Sequence, residues 1–112
     1  MQTMALMLMT SVMYGQDITG QWNGALSVQG NQIRIIFLVK KTNSQYEAIF
    51  DSPDQNANGI KVTTTEFSYP KVKFEISGLD AIFEGTLSGK NISGKWLQSG
   101  TALFLALIKK ED

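Results

Sequence analysis

From Ile18 onward, apolar and polar residues alternate with a period of two, and turn-forming residues interrupt the alternation at short intervals. A period of two sends successive side chains to opposite faces of an extended strand. No segment of helical period competes with it, so the chain is confined to an antiparallel all-β domain. Eight strands are predicted: Ile18–Val28, Gln32–Lys41, Gln45–Asp51, Ile60–Phe67, Lys71–Ile76, Ala81–Leu87, Asn91–Leu97 and Ala102–Lys109. Between them, Gln29-Gly30-Asn31, Thr42-Asn43-Ser44, Ser77-Gly78-Leu79-Asp80, Ser88-Gly89-Lys90 and Gln98-Ser99-Gly100 supply the glycine or asparagine that tight hairpins use. Sequence neighbours should therefore pair. Eight strands of this kind close into an up-and-down barrel, a lipocalin-like shape without free edges.

Two frames, Gly20-Gln21-Trp22 and Gly94-Lys95-Trp96, bracket the run. A glycine two residues before a tryptophan shares its face, which lets the indole lie across a neighbouring backbone where no side chain intrudes. The inward set also holds Ile18, Leu26, Ile33, Ile35, Phe37, Val39, Tyr46, Ala48, Phe50, Ile60, Val62, Val72, Phe74, Ile76, Ala81, Phe83, Leu87, Ile92, Leu103, Leu105 and Leu107. So many large residues in so short a chain favour a filled interior. A hollow barrel is the other possibility, with a small apolar ligand held in a mouth lined by Trp22, Phe37, Phe83 and Trp96. Two strands are apolar on both faces: Ile36 and Leu38 point outward on one, Phe104 and Ile108 on the other. In a closed meander these strands flank the first, and their outer residues would merge into one exposed patch. Such a patch marks a partner protein or a second copy, unless the N-terminal arm of the chain or a loop covers it.

Residues 16–112 make one domain. Ahead of it, all five methionines fall within the first thirteen residues, and no charge precedes Asp17. The apolar run Ala5–Val12 followed by Met13-Tyr14-Gly15 has the length of a signal-peptide core, too short for a membrane span. Residues 1–15 are read as a signal peptide, truncated because no lysine or arginine precedes Arg34. The expected location is periplasmic or extracellular.

Ten basic and ten acidic residues are interspersed to a net charge of zero, which leaves no footprint for nucleic acid. The chain contains neither histidine nor cysteine, so serine–histidine and cysteine–histidine nucleophiles, thiolate zinc sites and disulfides are all excluded. Gly85-Thr86-Leu87-Ser88-Gly89-Lys90 is one residue short of a phosphate loop and precedes a strand. Asp54-Gln55-Asn56-Ala57-Asn58-Gly59 matches the first half of a calcium loop, but the twelfth position is Thr65, so it is read as an Asx-rich turn. Asn91-Ile92-Ser93 is a formal glycosylation sequon at a strand start. No cofactor or metal is expected.

Gly20-Gln21-Trp22-Asn23-Gly24, Ser52-Pro53-Asp54-Gln55 with Gly59-Ile60, and Gly94-Lys95-Trp96-Leu97-Gln98 together resemble the small N-terminal β-domain of secreted bacterial α/β-hydrolases. The resemblance spans nearly all of the domain, and Ser-Pro-Asp-Gln is its most specific piece. It implies export and a β-module that accompanies ester or peptide hydrolysis without performing it. The family's catalytic serine, acid and histidine have no counterparts, so no catalytic residue is carried over. The chain is therefore expected to be a non-enzymatic exported module that meets a partner, a separate hydrolase or a second copy, through Ile36, Leu38, Phe104 and Ile108.

Overall fold

The computed structural model describes residues 17–111; the expected signal peptide lies outside them. Nine antiparallel strands form one sheet: β1 (Gly20–Val28), β2 (Asn31–Thr42), β3 (Gln45–Ser52), β4 (Ala57–Lys61), β5 (Thr64–Ser68), β6 (Lys71–Ile76), β7 (Ala81–Ser88), β8 (Asn91–Gln98) and β9 (Thr101–Lys109). Their order is β4-β3-β2-β1-β9-β8-β7-β6-β5, a meander whose first and last strands pair, curved into a half-barrel. Three hairpins turn on residue pairs with positive φ throughout, Gln29-Gly30, Asn43-Ser44 and Ser99-Gly100, as the right-handed twist of the flanking strands requires.

The expected fourth strand, Ile60–Phe67, is two strands. Val62 donates its N–H to the Ala48 carbonyl of β3, whereas Thr63 donates to the Glu75 carbonyl of β6, at 3.0 and 2.7 Å. Within two residues the chain passes its hydrogen bonds from one side of the sheet to the other. β4 serves β3 alone, β5 serves β6 alone, and the two are the edges of the sheet although only two residues separate them. The eight-stranded closed ladder is thus replaced by nine strands and an open seam.

Side chains fill the concave side. Phe37 stacks on Phe74 with ring centroids 4.3 Å apart, Phe50 lies 5.6 Å from Trp96, and Phe74 lies 6.1 Å from Phe83. All five are buried, as are Ile35, Ile92, Leu105 and Leu107 between them. The end of the half-barrel at the Asn43-Ser44 hairpin is shut by the segment leading into β1. Ile18 is wholly buried, the Trp22 indole donates to its carbonyl at 2.9 Å, and the Tyr46 hydroxyl donates to the Asp17 carboxylate at 3.0 Å. That carboxylate sits below the usual range. Partial burial, the largest influence, pushes it up, but hydrogen bonds from the Thr19 amide, the Tyr46 hydroxyl and the Thr19 hydroxyl and the charge of Lys41 prevail.

Close strand approach occurs at one of the two expected glycines. A Cβ on Gly94 would run into the Glu84 carbonyl of β7. Gly20 instead has φ near 124° and borders the Lys109 side chain; in β1 the tight approach falls at Gly24, where a Cβ would lie 2.5 Å from the Ala106 carbonyl of β9.

Candidate functional site

The outer face of β2, β1 and β9 carries the predicted partner residues. Phe104, Ile108 and Leu38 are 69%, 57% and 38% exposed, and Ile36 is half-buried. They do not merge into one strip. In register, Ile36 faces Asn23 and Asn23 faces Ile108, while Leu38 faces Gln21 on one side and Ile49 on the other. The Gln21 amide donates to Asn23 Oδ1 at 3.0 Å, so a polar ridge along β1 separates Ile36 and Leu38 from Ile108. Phe104 lies four residues back along β9, opposite Lys95. Leu38 and Ile49 border a groove of about 430 Å³ with Gly20, flanked by Lys40, Glu47 and Lys61. Tyr69, 54% exposed, is a large exposed side chain that the alternation did not single out.

The Ser52-Pro53-Asp54-Gln55 loop is a staple. Pro53–Gln55 form a 3₁₀ turn closed by Asn56 in the left-handed region. Buried Ser52 donates its hydroxyl to the Arg34 carbonyl at 2.7 Å and accepts the Gln55 amide at 2.9 Å. Asp54 accepts the backbone N–H of Arg34 and its guanidinium Nη2, both at 2.8 Å, and Nε at 3.1 Å. These hydrogen bonds, more than the charge itself, hold the Asp54 carboxyl at about 2, and the same pair raises Arg34. Asp51 Oδ1 meanwhile accepts the Gly59 amide at 2.6 Å. Among the described residues no three acidic groups converge as metal ligands.

At the end remote from Ile18, the Pro53–Gln55 turn, a second 3₁₀ turn at Ser77–Leu79 and the hairpin at Ser99-Gly100 surround a cleft of about 440 Å³. Buried Phe50, Trp96 and Leu26 border it together with half-buried Val28, Ile33, Ala57, Leu79 and Leu103. Its polar groups are Gln55, Gln98, Ser99 and Thr101, and no charged residue lines it. Gln98 is fixed at both ends: Oε1 accepts the Trp96 indole N–H at 3.0 Å, and Nε2 donates to the Leu79 carbonyl at 2.9 Å. Of the four residues expected at a ligand mouth, Trp96 alone borders this cleft; Trp22, Phe37 and Phe83 lie within the packed interior. Gln98 and Leu79 were not anticipated there. The signal was present for Gln98, which ends the Gly-x-Trp-x-Gln frame, as Gln55 ends the Ser-Pro-Asp-Gln piece.

A third concavity, on the outer face of β5 to β8, is crossed by the register row Glu66, Lys73, Glu84, Lys95, whose charges alternate in sign. Opposite charges facing each other across a sheet are the ordinary device for keeping it soluble. Comparison with family models, with characterised proteins and with solved structures gives no match to this chain.

Proposed function

We propose that the domain is a non-catalytic module of an exported protein that docks an α/β-hydrolase through the outer face of β2, β1 and β9. The observation that carries this reading is the exposure of Phe104, Ile108 and Leu38 on a face whose opposite side carries the buried core. Large apolar groups in water on β2 and β9, either side of β1, are a liability unless a partner covers them. Two supports stand beside it. Of the Ser-Pro-Asp-Gln and Gly-x-Trp-x-Gln frames that resemble a hydrolase-associated domain, Gln55, Trp96 and Gln98 border the cleft, and Lys95 alone stands beside Phe104 of the docking face. The lack of histidine and cysteine leaves no nucleophile–imidazole pair with which the domain could hydrolyse anything itself.

Affinity recovery from the exported fraction, scored by mass spectrometry for a hydrolase and by ester hydrolysis in the eluate, tests the proposal. The parent should retain the hydrolase, and Leu38→Lys combined with Phe104→Glu should release it with an unchanged melting temperature. Equal recovery by the double variant would overturn the reading, as would a parent that recovers no hydrolase. A concentration-dependent dimer of the parent, lost in the double variant, would assign the face to a second copy instead.

A further inference from the structure

We propose that the cleft ringed by the two 3₁₀ turns and the Ser99-Gly100 hairpin binds a small, uncharged, apolar molecule that donates one hydrogen bond. Its volume of about 440 Å³ falls within the range of small-molecule sites, and its composition is theirs: an apolar lining with a few placed polar groups. The site is built on rigid parts. Phe50 and Trp96 belong to the aromatic stack of the core, and Leu103 stands opposite Trp96 in the β8–β9 ladder. Leu79 is tied to the same wall through the Gln98 amide.

Polarity sets the class of ligand. With no charged side chain in the lining, an ion entering the cleft would lose water and gain no counter-charge. Both ends of Gln98 are committed, to Trp96 and to Leu79. Gln55 holds the Ser52 hydroxyl through Nε2, while its Oε1 accepts no hydrogen bond among the described residues. An acceptor therefore stands at the rim, held by a turn that the Arg34–Asp54 pair pins to β2. The Ser99 and Thr101 hydroxyls can donate or accept and so select neither way, whereas the Gln55 oxygen can recognise only a donor on the ligand. This site lies away from the docking face, so the two proposals stand or fall separately.

N-phenyl-1-naphthylamine, neutral and apolar with a single N–H, is the probe. It should bind the parent saturably at one site, with enhanced and blue-shifted emission. Leu103→Glu places a charge in the lining and should weaken binding by at least about tenfold at a temperature where circular dichroism shows the variant still folded. Gln55→Leu should weaken this probe and leave the N-methylated analogue, which has no donor, bound as by the parent. Phe104→Glu, on the outer face, should bind both probes normally. Non-saturable uptake by the parent, undiminished binding by Leu103→Glu, equal effects of Gln55→Leu on the two probes, or loss of binding in Phe104→Glu would each overturn the assignment. Because Leu103→Glu leaves the outer face intact, hydrolase recovery by that variant reports on the docking proposal alone.

Discussion

Gly94 leaves no space between β7 and β8, and Gly78, in the turn before Asp80, has open space around it. Alanine at Gly94 must push against the Glu84 backbone, which cannot swing aside as a side chain would, and should destabilise the domain by about 1–3 kcal/mol or more. Alanine at Gly78 meets nothing and should be close to neutral; urea midpoints of the two variants make the comparison. The tryptophans are the other single positions with large leverage, at 1% and 2% exposure. Trp22→Ala and Trp96→Ala should each cost about 3–5 kcal/mol, much of the stability of a domain this size, and midpoints within error of the parent would contradict the packing described. At this scale the sequence was highly legible. Every apolar residue of the buried core, from Ile18 to Leu107, lies in the inward set that alternation alone defines. What alternation could not tell was which glycine meets a backbone. That depends on how β1 registers against β9, a pairing between the two ends of the domain, and it put the tight approach at Gly24 and left Gly20 beside Lys109.

The strands shifted where the alternation changes phase. Ile60 and Val62 set the inward face at even positions, whereas Phe67, which packs on the core, is odd; the phase slips within Thr63–Thr65, where hydrogen bonds pass from β3 to β6, and a single strand drawn from Ile60 to Phe67 runs over that slip. The Pro53–Gln55 turn shows the converse: its composition announced an irregular loop, but its tether, Arg34, lies twenty residues away and only the folded chain joins them. This tether has a pH signature. Asp54 is held at about 2, below its ordinary 3.8, so the unfolded chain takes up the proton first. Its contribution is complete above the ordinary value and disappears as the pH falls through about 2. Asp54→Asn should therefore melt below the parent at neutral pH, and the gap should close as the pH is lowered across that window; a gap that stays constant would show that the carboxylate charge does not act there. Calcium should leave the melting temperature of the parent unchanged, because the oxygens of Asp54 are already committed to Arg34.

Taken whole, the molecule is a long sheet bent until its edges are consecutive in the chain. The predicted partner residues are on the surface, but the polar ridge of Gln21 and Asn23 between them follows from register and could not be read from alternation. The cleft was hidden for a related reason: its lining is gathered from β1, β2, β3, β4, β8 and β9 and both 3₁₀ turns, and no local motif spans such distances. The same architecture dictates where the fold opens first. β1, β2, β7 and β8 are each paired on both sides, whereas β4 and β5 are five residues each with one ladder apiece. The seam between them is carried by Val62 and Thr63. Native-state amide exchange should accordingly divide the sheet, with amides of β4 and β5 exchanging through local openings insensitive to mild denaturant and those of β2 and β8 through global unfolding. Thr63→Pro deletes the N–H that reaches Glu75, and should speed exchange in β4 and β5 far more than in β2 and β8. Were protection in the parent uniform across all nine strands, the seam would not be a separate opening unit, and the half-barrel would unfold as cooperatively as a closed one.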